Sequence, residues 1–104
     1  LNQGVPVVCV VLEGGPPIVS IVLDYVSNKP PVPVFVFEGS GGAADLLAFF
    51  HKQTAVDRQL DADIQADLLV RVGAVFGVEA AEASQLCSLL LQCMDHRQAV
   101  SKNQ

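Results

Sequence analysis

Two stretches of this sequence place an acid directly ahead of a glycine turn: Glu13-Gly14-Gly15 and Glu38-Gly39-Ser40-Gly41-Gly42. Glycines let the main chain approach a phosphate closely, and a helix that follows supplies amide donors and partial positive charge. Glu13, Gly14, Gly15, Gly39, Ser40, Gly41 and Gly42 are therefore the candidate nucleotide- or phosphate-binding residues. The same glycines also suit a tight strand-to-helix turn with positive φ and no ligand. Both readings stand at this point.

No catalytic residue is expected. Ser40 has no histidine or acid placed by sequence to activate it, and Glu38 stands where a G-x-S-x-G elbow needs its first glycine. A hydroxyl that bonds phosphate or caps a helix is the expected role. Cys93 and His96 are three apart, but Cys87, six residues earlier, falls on another helix face. A zinc site needs three or four ligands, so no metal is expected. His51 should lie at the surface near the last carbonyls of its helix.

These residues must be positioned by the elements around them. Val5–Leu12 and Val32–Phe37 are short apolar runs that do not alternate. They predict strands covered on both faces, as in a parallel sheet. Pro16 and Pro17 open a helix whose apolar residues recur through Ile18–Val26, and Asn28-Lys29-Pro30-Pro31 stops it. Ala43–Lys52 is a second helix, with Ala43, Leu46, Leu47 and Phe50 on one face. Strand, helix, strand, helix implies parallel pairing and right-handed crossovers. Lys52–Leu60 is a polar connection. Asp61 is an N-cap for a helix striped by Ile64, Leu68, Val72, Val75 and Phe76 and closed by Gly77. Glu79–Arg97 is a last helix with Ala83, Leu86, Leu90 and Met94 aligned. The fold class is α/β and Rossmann-like. Residues 1–53 form two βα units, and 54–104 form a helical continuation of the same domain.

Bulk properties narrow the function. Of 104 residues, 51% are hydrophobic and 16% charged, against about a quarter charged in an ordinary soluble domain. No run approaches the roughly 20 apolar residues of a membrane span. This segment is therefore not expected to enter the membrane, and the apolar excess reads as a core cut open. A start at Leu1 fits an internal piece, with the missing strands coming from sequence outside the chain. Six basic residues against eleven acidic ones give a net charge of −5. The basic residues form no stripe, which excludes nucleic acid as a partner. Three cysteines without a C-x-x-C pair give no disulfide framework, and fit inert thiols in a reducing cytosol.

The blocks Val5–Pro16, Ile18–Tyr25, Pro30–Val34, Glu38–Gly41 and Ala43–Phe49, with His51-Lys52, occur in an order that resembles a known family. It is the cytosolic N-terminal homology region of melastatin-type transient receptor potential (TRPM) cation channels, a Rossmann-like SLOG domain. The resemblance is strong over the first half; from Thr54 to Arg97 only the two-helix pattern agrees. It implies a cytosolic regulatory or assembly segment of a calcium-permeable, homotetrameric plasma-membrane channel. Its partners would be the rest of its own SLOG domain and neighbouring subunits. The implied ligand is an ADP-ribose-type nucleotide. In the family the glycine turn is commonly followed by arginine, where Gly42 stands here, and Pro17 removes an amide donor. The implied pocket is thus degenerate. The alternative is a soluble SLOG-superfamily nucleotide-binding protein or a phosphoribohydrolase-like enzyme. Such enzymes resemble Pro-Gly-Gly-x-Gly-Thr followed by a glutamate on the next helix, whereas Gly14-Gly15 is followed by Pro16-Pro17.

Overall fold

The computed structural model describes residues 7–56 and 61–103. Three parallel strands form one sheet in the order β1 (Cys9–Val11), β2 (Val34–Phe37), β3 (Val100–Asn103). Val34 stands beside Cys9 on one side and Val100 on the other. Helix α1 (Pro16–Ser27) connects β1 to β2. Helices α2 (Gly42–Val56), α3 (Ala62–Phe76) and α4 (Ala80–Met94), then a 3₁₀ turn at Arg97–Ala99, connect β2 to β3.

Local chemistry explains the helix ends. Pro16 and Pro17 occupy the first turn of α1, where amide protons have no intrahelical partner. Asp61 caps α3, its Oδ1 accepting from Ile64 N–H at 2.9 Å. Gly77 ends α3 at φ +65°, and its N–H donates to the Gly73 carbonyl.

The strand order carries the chain across the sheet in one direction. With right-handed crossovers, that puts α1 and the long second crossover on the same face. Burial agrees. Val11, Val34, Val36 and Val100 sit under the helices with Val19, Val22, Leu46, Leu47, Phe50, Leu68 and Leu90 in one core. Helix α4 packs on α1, α2 and α3, and the Arg71 guanidinium lies 3.9 Å over the Phe49 ring, joining α3 to α2. The opposite face is bare. Val8, Val10, Leu12 and Phe35 are 55, 52, 63 and 38% exposed.

Four expectations are corrected. The strands are not covered on both faces, because within this chain every crossover lies on one side. Both strands are also shorter than the apolar runs, and Val5 and Pro6 lie outside the described residues. Helix α2 continues past Lys52 to Val56. There Thr54 Oγ1 bonds back to the Phe50 carbonyl at 2.9 Å, and Arg97 satisfies the His51 carbonyl at 3.2 Å. The remainder of the expected connection, residues 57–60, is outside the described residues. Finally, the last helix stops at Met94, and residues 100–103 are a third strand rather than a helical tail.

Candidate functional site at the carboxyl edge of the sheet

Because β1 and β2 are parallel neighbours, their carboxyl ends bring Glu13–Gly15 and Glu38–Gly42 side by side. All seven candidate residues therefore meet at one edge. Residues 38–41 follow β2 as a turn, Gly42 begins α2, and Asp45 lies in its first turn.

The two turns are knotted to each other. Ser40 Oγ accepts from Glu13 N–H at 2.8 Å and donates to the Phe37 carbonyl at 2.6 Å. Ala43 and Ala44 N–H, at the start of α2, donate to the Gly14 and Glu13 carbonyls at 2.8 and 2.9 Å. Asp45 Oδ1 accepts from Gly39 N–H at 2.7 Å. Glu38 pairs with Lys52 Nζ, which reaches it from the third turn of α2.

Backbone shape makes the knot possible. Gly14, Gly39, Gly41 and Gly42 all have positive φ, and Glu13 adopts +57°, rare for a residue with a side chain. At Gly42 (φ +54°) a Cβ would stand 2.2 Å from the Gly14 carbonyl oxygen. This is where the two loops touch, and the loop as folded has no room for an arginine. A Cβ at Gly41 would lie 3.6 Å from Glu13 Cγ and 3.9 Å from Oε2, so the Glu13 carboxyl group stands beside that turn.

For a phosphate the arrangement is poor. Two amides at the start of α2 are spent on main-chain carbonyls, Pro16 and Pro17 take two donors from the first turn of α1, Ile18 N–H is spent on the Gly15 carbonyl, and carboxylates flank the turn. Concavities of about 430 and 590 Å³ lie elsewhere, beside Thr54 and Arg97 and between α3 and α4.

A model of the family described as "SLOG in TRPM" matches residues 1–93. The chain belongs to that TRPM SLOG family. It is 42% identical over 101 residues to "Transient receptor potential cation channel subfamily M member 1" of Mus musculus, covering 97% of this chain and 6% of the relative. Against subfamily M member 7 of Homo sapiens identity is 41% over 101 residues, with 97 and 5% covered. A "Transient receptor potential channel" of Caenorhabditis elegans is 49% identical over 96 residues, with 92 and 5% covered. The chain thus spans about a twentieth of these relatives.

As a TRPM SLOG segment the chain is α/β with a partial Rossmann-like sheet. Among the described residues no single helix is long and apolar enough to cross a membrane; α3 and α4 reach that length only as a pair bent by 109°. No group of three His, Cys, Asp or Glu side chains among the described residues is placed for a metal ion. Cys87 and Cys93 are buried. Desolvation pushes the thiols of Cys9 and Cys87 up, and that of Cys93 up to about 12.

A second polar cluster has no motif in the sequence. His51 is half-buried rather than at the surface, and its Nε2 donates to the Arg97 carbonyl at 3.3 Å. Arg97 returns a bond to the His51 carbonyl at 3.2 Å and another to Thr54 Oγ1 at 2.7 Å. Burial, with the Arg97 and Lys102 charges, holds the His51 imidazole below its ordinary value. The residues are 46 apart, so no local spacing announces the pair.

Proposed function

We propose that this chain is a cytosolic regulatory and assembly segment of a TRPM-type, calcium-permeable cation channel, acting without catalysis of its own. The family match over residues 1–93 carries the reading. The bare sheet face supports an assembly role. Parallel sheets are normally covered on both sides, and Val8, Val10, Leu12 and Phe35 offer an apolar surface for the rest of the SLOG domain. Neighbouring subunits of a homotetramer are the further partners. The test is to express the complete polypeptide in cells and record calcium-carrying currents. Wild-type current that is lost, together with tetramer, in the double change Val10→Asp, Phe35→Asp supports the proposal. Absence of current in the wild type overturns it.

The nucleotide-phosphate site at Glu13, Gly14, Gly15, Gly39, Ser40, Gly41 and Gly42 belongs to this proposal in degenerate form. Glycine turns at the carboxyl edge favour a phosphate-bearing ligand, and the family resemblance makes that ligand an ADP-ribose-type nucleotide. Spent amides and the Glu13 carboxylate oppose it. Calorimetric titration of ADP-ribose into the complete SLOG domain should give weak heats, strengthened in Glu13→Gln; tight binding by the unmodified domain would contradict degeneracy. Release of base from nucleoside monophosphates, lost in Glu13→Gln or Glu38→Gln, would favour the enzyme alternative.

A further inference from the structure

We propose, on the SLOG reading above, that the complete sheet grows from the free edge of β1 and ends at β3. The occupant of that edge is a further strand of the same polypeptide, whose helical layer covers Val8, Val10, Leu12 and Phe35. The bare face is not uniform. Neighbours in register point to the same side of a sheet, so Val10, Phe35 and Ser101 run across that face from β1 to β3. At β1, Val8, Val10 and Leu12 are each more than half exposed; at β2, Phe35 is less so. At β3 the residue in line is Ser101, an exposed hydroxyl. Apolar cover is thus called for over β1 and no longer over β3.

The two edges differ in the same sense. Main-chain groups of successive residues point to opposite sides of a strand. Cys9 N–H donates to the Pro33 carbonyl at 2.9 Å, so the N–H of Val10 points away from β2, into the free edge. The strand there is Cys9-Val10-Val11, with no charge or proline to discourage pairing. On β3, Val100 N–H turns back to the Arg97 carbonyl rather than to β2. Lys102, two residues on and in the same phase, directs its N–H outward, and its side chain is exposed. A lysine on an outer strand is a common guard against further pairing. A strand apolar on both faces, like β1, belongs inside a parallel sheet with helices on both sides. The chain spans only 5–6% of its relatives, which leaves ample polypeptide to supply the strand and its helices.

The experiment is residue-resolved hydrogen exchange with mass spectrometry on the complete polypeptide. After correction for intrinsic rates, the Val10 amide should exchange on the order of a hundredfold more slowly than that of Lys102. Cysteine labelling with a charged maleimide, located by mass, tests the face. Ser101→Cys should react as an exposed thiol, and Val10→Cys only on global unfolding; Leu12→Cys serves if the Val10 variant fails to fold. Equal exchange at Val10 and Lys102, or equally fast labelling on β1 and β3, would overturn the proposal. So would protection of Val10 that vanishes when an oligomer is separated into single folded polypeptides, since the occupant would then be a second copy. Current recorded from the same protein keeps the two readings apart. Protein that conducts with Val10 unprotected contradicts the strand beside β1 alone, and protein that protects Val10 without conducting contradicts the channel alone.

Discussion

The hydroxyl of Ser40 holds the main-chain amide of Glu13 across 27 positions of sequence, at 2.8 Å. The same oxygen donates to the Phe37 carbonyl at 2.6 Å. One side chain thereby ties the end of β1 to the end of β2.

Ser40→Ala should destabilise the domain by about 0.5–1.5 kcal/mol, the net worth of a hydrogen bond whose donor water can reach. Denaturant unfolding of the complete SLOG domain measures this. A loss below the error of the fit would show that the knot is held by the Ala43 and Ala44 amides alone.

The glycine positions should differ in tolerance. Gly41 has φ +98° with its nearest side-chain neighbour at 3.6 Å, so Gly41→Val should cost on the order of 1–2 kcal/mol, the left-handed penalty. Gly42→Arg should be worse, since its Cβ meets a main-chain oxygen at 2.2 Å. It should lower the thermal midpoint more than Gly41→Val does, with no gain in nucleotide affinity. An arginine variant of full stability and tighter ADP-ribose binding would show that the loop rearranges freely.

The bare face predicts association of the isolated chain. Val10 and Phe35 are cross-strand partners on that face, and each apolar side chain gains about 1.5–3 kcal/mol when fully covered. Light scattering should show concentration-dependent growth, suppressed in Val10→Lys, Phe35→Lys. A monomer with a cooperative transition and strongly protected Val8–Val11 amides would contradict this.

Cys93 should be chemically silent while the domain is folded. Its thiol is pushed up to about 12 and lies in the core between α4 and α1, its Sγ 3.9 Å from the Val19 carbonyl. The thiolate is the reactive form, so alkylation at neutral pH should follow global unfolding. Labelling of Cys93 as fast as that of half-buried Cys9 would reveal local opening of α4.

The sequence by itself determined the elements with local signatures. Pro16-Pro17 starts α1, Asp61 and Gly77 bracket α3, and the valine-rich runs mark β1 and β2, because caps and propensities act between residues a few positions apart. It also placed the acid-glycine turns at the carboxyl edge, which follows from parallel βα order. Tertiary structure alone decided the rest. Residues 100–103 become β3 only because the edge of β2 is there to bond them; Val100 offers a single buried side chain as a cue. Helix α2 runs on to Val56 where Arg97, distant in sequence, satisfies the His51 carbonyl. The start of α2 is occupied by the Gly14 and Glu13 carbonyls. Hydrogen bonds between main-chain groups leave no mark on residue type, so their pairing becomes visible only once the chain has brought them together.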